Sequence, residues 1–259
     1  MNSTTKIIDI TLENAFDFKP GPSCFINAKE VGAQKKLDWM QARFKEGMKS
    51  KVLYLENQQK SAGFIEYIPG ERAWRAVEAP GYLFIHCIWV YPNNQKNKGH
   101  ASLLLEECIR EAKKEEKRGV TVITSEGAFM AGKNLYLNNG FIVAASEKPS
   151  FNLLVYQLKK GPLPRFRDWK SQLQNYQEFH ILYSNQCPWV ARSITELREI
   201  AGKYGLKPKI TELKTASEAQ NAPSVYSTFN LIYKGKLLSD HYISKRRFEN
   251  ILKKEILTK

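Results

Sequence analysis

The sequence predicts a mixed α/β protein of two domains, and three observations carry that expectation. A chain of 259 residues is longer than most single cores. Apolar, β-branched runs of strand length alternate with segments of helical spacing along most of it. The alternation breaks once, at Lys159-Lys160-Gly161-Pro162-Leu163-Pro164, where two prolines flank one apolar residue and disfavour continued regular structure. The domains expected are 1–158 and 171–259, joined by a linker over 159–170.

The first element is a short strand over 6–10. Residues 30–48 form a helix, since Val31, Leu37, Met40, Phe44 and Met48 fall on roughly one face. Residues 52–55 and 63–68 form a hairpin across the polar turn 57–60. The aromatic and β-branched run 82–90 is a central strand. A polar loop and Gly99 lead into a helix with Ala101, Leu104, Leu105, Cys108, Ile109 and Ala112 at helical spacing. A strand over 120–124 follows, then a short helix over 132–138 stopped by Asn139-Gly140. Strands over 141–145 and 151–158 complete the first sheet. Beyond the linker come a strand (179–183), a helix (188–204) and a strand (209–213). A hairpin then turns at Lys234-Gly235, and Ser244 caps a last helix.

Composition narrows the class. No stretch approaches the ~20 apolar residues that span a bilayer, and the first ten residues carry no secretory pattern, so no membrane is expected. Four scattered cysteines, with no CxxC, fit a reducing, cytoplasmic compartment and no metal site. The formal charge of +14 is spread along the chain, and its local runs at 245–247 and 253–254 fall on the last helix as a solvated face. No clustered aromatic-basic motif accompanies it, so nucleic acid is not an expected partner.

The run 88–105 carries the most chemistry. A strand ends, a polar loop follows, and a helix starts at Gly99. Successive backbone N–H groups with the positive end of the helix dipole make a diphosphate-sized anion site. Gly99 clears the side chain where phosphates approach, Ala101 keeps the first turn thin, and Lys96 and Lys98 add charge.

This run resembles motif A of the GNAT acetyltransferases, R/Q-x-x-G-x-G/A, with Lys96, Gly99 and Ala101 at its fixed positions and Gln95 one place early. Leu135-Tyr136-Leu137-Asn138-Asn139-Gly140-Phe141 looks like the family's L/F-Y-x-x-x-G-F ending. The resemblance covers about 5–158. It implies a mixed sheet with flanking helices, acetyl-CoA as co-substrate, and direct transfer to an amine of a small molecule or peptide. The implied acetyl-CoA contacts are Ile88, Trp89 and Val90 on the strand, Gln95, Lys96, Asn97 and Lys98 in the loop, and Gly99, His100, Ala101 and Ser102 at the helix start. Asn134 stands in for the Asn that holds the pantetheine arm, since Phe129 occupies that residue's place. Tyr136 is the implied general acid toward the leaving thiolate, and a phenol of ordinary basicity suits that task.

The general base stays open. His86, given strand parity with Phe84, Ile88 and Val90, suits proton transfer near neutral pH. Glu126, just past the strand 120–124, is its rival; Glu66, Glu78 or a water chain are the further choices. The acceptor wall is expected over 16–27, with Arg72, Trp74 and Arg75 reaching the same site and favouring an acidic acceptor.

In the second domain, Ser184-Asn185-Gln186-Cys187-Pro188-Trp189 stands between a strand and a helix start. A thiol there has its thiolate stabilised by the dipole. With its β-α-β, β-β-α order this part is similar to a thioredoxin-like fold, in which Ala222-Pro223 would supply the cis-proline. Val190 occupies the place of a second redox cysteine. The whole layout resembles bacterial GNAT proteins carrying a YoaP-type C-terminal domain. Besides catalysis, two other readings stand: a non-catalytic acyl-CoA-binding protein, and a monothiol redox or ligand-binding protein centred on Cys187. Homodimerisation is left open.

Overall fold

The computed structural model describes residues 5–18, 26–127 and 129–257. The chain separates into two compact units. Unit 1 holds 1–29, 40–73 and 77–166, and unit 2 holds 30–39, 74–76 and 167–259. The changeover at Phe166–Arg167 falls inside the expected linker.

The elements follow the sequence reading closely up to residue 158. They run β1 (Thr5–Asp9), α1 (Val31–Lys45), β2 (Lys49–Leu55), β3 (Lys60–Pro69), β4 (Val77–Glu78) and β5 (Tyr82–Val90). Then come α2 (His100–Lys114), β6 (Gly119–Thr124), α3 (Lys133–Leu137), β7 (Ile142–Glu147), β8 (Phe151–Gln157) and β9 (Arg165–Phe166). Seven strands form one sheet in the order β1-β2-β3-β5-β6-β8-β7. It is antiparallel throughout except for the β5–β6 pair, which the helical crossover α2 makes parallel. One apolar face of α2 (Leu104, Leu105, Cys108 and Ala112) packs on Ile65, Tyr67, Leu83, Ile85 and Val120, all of them buried. β9 lies within the stretch expected to be linker and pairs with β4, and the Glu78–Arg165 ion pair at 2.6 Å joins the two strands, a partner that local proline content cannot reveal.

Unit 2 contains α4 (Trp169–Gln172), β10 (Phe179–Tyr183), α5 (Trp189–Lys203), β11 (Lys209–Glu212) and α6 (Ala216–Gln220). It ends in β12 (Phe229–Tyr233), β13 (Lys236–Ser239) and α7 (Lys245–Ile251). Its sheet runs β11-β10-β12-β13, with β10 and β11 parallel and the other pairs antiparallel. Phe179, Ile181, Leu231 and Phe229 meet Ile194, Leu197 and Phe248 to form its core. The expected cis-proline is corrected. Cis bonds among the described residues precede Pro92 and Pro149, so Ala222–Pro223 is trans. Pro223 follows the end of α6, and the turn immediately before β12 is made by Ser227 in the left-handed region at φ 61°.

Candidate active site

The site forms where two neighbouring strands part. β5 pairs with β6 only from Tyr82 to Ile85, whereas its ladder with β3 continues to Val90. The outer half of β5 therefore presents backbone groups to an open cleft instead of a neighbouring strand. A cavity of about 350 Å³ fills that cleft, lined by Ile88, Trp89, Val90, Lys96 and Ala101 from the residues anticipated above. Phe129, Met130, Ala131 and Leu135 close its other side. Met130 and Ala131 were not anticipated; the apolar run that starts at Ala128 is the signal that could have marked them.

The loop before α2 is shaped by its backbone. Asn97 and Gly99 are both left-handed, at φ 60° and 81°. Gly99 is the N-cap of α2. A Cβ added at Gly99 would meet nothing within 4 Å, so glycine is demanded by the torsion, and the space above it is open to a ligand. Lys96, Asn97, Lys98 and Gly99 are exposed, Ser102 is half-buried, and Gln95 and His100 are buried.

Tyr136 is buried in the core cluster with Ile85 and Ile88, edge-on to Phe141 at 5.4 Å. The Phe141 N–H donates to the Tyr136 carbonyl at 3.1 Å, and this closes α3 beyond Gly140. Burial holds the phenol pKa well above its ordinary value, and the Cys87 and Cys108 thiols push it the same way. Tyr136 thus keeps its proton at neutral pH. Neither Tyr136, sealed behind its neighbour Leu135 of the cavity wall, nor Asn134, on the exposed side of α3, is among the residues lining the cavity.

The two base candidates are placed differently from one another. His86 is buried and meets Phe84 edge to face at 5.7 Å. Its parity with Ile88 is corrected: Ile85 and Ile88 both pack in the α2 core cluster. Glu66 pairs with Cys87 and Tyr67 with Ile85, so His86 is the extra residue of a β-bulge, which inverts the alternation beyond it. Neither His86 nor Glu126 lines the cavity; Glu126 is exposed, its backbone N–H donating to Ser150 Oγ at 3.3 Å.

Within unit 2, Cys187 is half-buried and precedes Pro188, the N-cap of α5. Arg75, expected to face an acceptor, is buried instead. Its Nη1 donates to Gln186 Oε1 and to the Trp74 carbonyl, both at 2.6 Å, and its guanidinium lies 4.4 Å from the Tyr226 ring centroid. Trp74 is also buried, edge-on to Trp39 at 5.3 Å. Packing takes up Trp74 and Arg75, which corrects their expected place at the acceptor, while Arg72 is exposed. Gly32 lies so close to this loop that an added Cβ would come within 1.9 Å of the Pro188 carbonyl oxygen. Of the acceptor wall expected over 16–27, residues 19–25 lie outside the described residues.

Among the described residues no helix is long and apolar enough to cross a membrane, and no cluster of metal-ligating side chains occurs. Comparison with known proteins matches residues 19–141 to the acetyltransferase (GNAT) family and residues 209–250 to the YoaP-like family. The chain is 30% identical over 251 residues to the uncharacterized N-acetyltransferase YoaP of Bacillus subtilis (strain 168), covering 95% of this chain and 97% of that protein. Among solved structures, a GNAT family acetyltransferase from Brucella melitensis in complex with acetyl-CoA aligns with 64% of this chain and 96% of its own, at 16% identity and a TM-score of 0.41. The PaiA N-acetyltransferase from Thermoplasma acidophilum in complex with coenzyme A aligns with 60% of this chain and 99% of its own, at 14% identity and a TM-score of 0.43.

Proposed function

The chain belongs to the GNAT acetyltransferase family, with a YoaP-like C-terminal part, and from that premise we propose that it moves an acetyl group from acetyl-CoA directly to the amine of a small molecule or peptide. The observation that carries this reading is the parting of β5 from β6 beside a left-handed glycine loop. The residues fit the co-substrate. Open space over Gly99 and the start of α2 suit a diphosphate, Lys96 brings a cation to the cavity wall, and the apolar walls suit an uncharged pantetheine arm.

In the transfer, a nitrogen–carbon bond forms at the acceptor amine while the carbon–sulfur bond of the thioester breaks. The electron pair of that bond goes to sulfur. An N–H on the unpaired edge of β5, near Val90, is placed to stabilise charge on the thioester oxygen. Tyr136 gives the departing thiolate its phenolic proton and is reprotonated by the proton the amine loses. Apolar walls that desolvate a departing thiolate raise its pKa as burial raises that of the phenol. His86, Glu126 and water remain the candidates for taking the amine proton.

Titration calorimetry with acetyl-CoA and CoA tests the reading. Micromolar binding is expected for the wild type. Gly99→Glu, which sets a carboxylate at the helix start and strains the left-handed backbone, should weaken it on the order of 100-fold or more. A wild type that binds neither compound refutes the proposal.

The second reading concerns Cys187. The order β11-β10-β12-β13, with a cysteine between the central strand β10 and α5, supports a thioredoxin-like unit with a monothiol site. A thiol of this kind and an acetyl-CoA reaction both suit the cytoplasm. Titration of Cys187 with a thiol reagent, against Cys187→Ser, checks it; a Cys187 that reacts no faster than an ordinary thiol of pKa about 8.5 counts against it.

A further inference from the structure

We propose that Gln95 and His100 form a positioning device for the acyl-CoA site: one buried amide oxygen ties the two ends of the phosphate loop together and holds it ready for a diphosphate. The inference rests on the acetyl-CoA reading above. Both side chains are polar and are 4% and 8% exposed, yet they flank four residues that are all exposed. Gln95 Oε1 lies 3.2 Å from His100 Nε2 and 3.5 Å from Lys98 Nζ. A lysine ammonium only donates, so the oxygen of this amide is the atom that faces both. His100 therefore carries its proton on Nε2, and its Nδ1 is buried with no hydrogen-bond partner.

The Gln95 and Lys96 N–H groups donate to the Pro92 and Asn93 carbonyls at 2.8 and 3.1 Å and hold the first part of the loop, and the Gln95–His100 bond closes the part beyond, from 96 to 99. Asn97 and Gly99 are both left-handed, and no atom within 4 Å would meet a Cβ at Gly99. A loop that had to be ordered by its ligand would bind more weakly by the entropy of ordering. Fixing Gln95 to the first residue of α2 removes part of that penalty before the ligand arrives.

The charge state supplies a signature. Burial, and then the neighbouring Lys98, lower the proton affinity of His100 and favour the neutral imidazole in the free protein. The strands against α2 carry Lys49, Lys51 and Tyr54 on β2, Lys60, Glu66 and Tyr67 on β3, and Tyr82, His86 and Cys87 on β5, but none of these is a source of the shift. Glu107 and Glu111, further along α2, are engaged by Lys51 and Lys49. An anion at this helix end favours the protonated imidazole, which still donates from Nε2. Binding therefore takes up part of a proton, and affinity rises as pH falls through the histidine range.

Calorimetry on the full chain with 3′-dephospho-CoA, whose diphosphate does not titrate between about pH 6 and 8, tests this in buffers of differing ionisation enthalpy. CoA binding by the wild type is measured first, and its absence overturns the acyl-CoA reading itself. Given that binding, the wild type is expected to take up a fraction of a proton near pH 6.5. His100→Gln, which keeps an N–H donor but has no titrating group, should take up no proton on binding. His100→Leu and Gln95→Leu should each weaken binding roughly tenfold, with the double variant no worse than either alone. Unchanged proton uptake in His100→Gln, or losses that add to about 100-fold in the double variant, overturns the proposal. Should the leucine variants fail to fold, the proton count in His100→Gln decides alone.

Discussion

Tyr136 shows how a single residue is legible and yet incomplete in sequence. Its place before Gly140-Phe141 marks it, but only the folded chain reveals that it is sealed beside Cys87 and Cys108. A buried phenol that keeps its proton is a stored acid, so Tyr136→Phe should lower turnover by about 10²–10⁴-fold while leaving acetyl-CoA affinity within about twofold. Steady-state rates together with calorimetry separate the two effects. Equal turnover in the variant would reduce Tyr136 to packing against Phe141. The cavity face of β5 was legible in Ile88, Trp89 and Val90, whereas His86 was not. A bulge depends on how β3 lies against β5, and alternation along one strand cannot register an extra residue. Gln95 and His100 were anticipated only as ligand contacts, because their hydrogen bond appears once the loop is folded back.

At the level of elements, α2 does two jobs. Its start shapes the phosphate loop, and its far half is pinned to β2 by charge. Lys51 is buried and bonds Asp9 at 2.9 Å and Glu107 at 2.7 Å. Burial opposes its charge, but these hydrogen bonds outweigh it and raise its pKa. Lys49 bridges Glu111 and Glu115. The bond from Lys49 holds the Glu111 carboxyl below its ordinary range, against the opposing effect of burial. A carboxyl whose folded pKa is depressed contributes stability that is full above its unfolded value of 4.5 and disappears as pH falls through the lower folded value. Urea midpoints should therefore decline below about pH 4.5, and Glu111→Gln should destabilise by about 1–2 kcal/mol at pH 7 while flattening that decline. An unchanged pH slope in the variant would place the acid sensitivity elsewhere. Elsewhere, α6 is entered through a capping box in which Glu218 Oε2 accepts from Thr215 N at 3.1 Å and Thr215 Oγ1 from Glu218 N at 3.2 Å. The Thr-x-x-Glu spacing announces that helix, but five residues carry too little periodicity to be seen by hydrophobic pattern.

For the molecule as a whole, a formal charge of +14 acts at long range whatever the local contacts. Acetyl-CoA is a polyanion, so its association rate should fall about tenfold between roughly 0.05 and 0.5 M salt, measured by stopped flow, with a much smaller change in dissociation. Rates insensitive to salt would confine the role of charge to solubility. The sequence by itself determined what local rules determine: strand and helix periods, the turn at Asn139-Gly140, the break near 159–164, and a glycine loop running into α2. The tertiary structure alone decided where β5 leaves β6, that His86 is a bulge residue, that Arg75 is held by Gln186 and Tyr226, and that Gln95 meets His100. Periodicity and caps are set by neighbours within a few residues, whereas strand register, burial and loop closure are settled by partners brought together only when the chain folds.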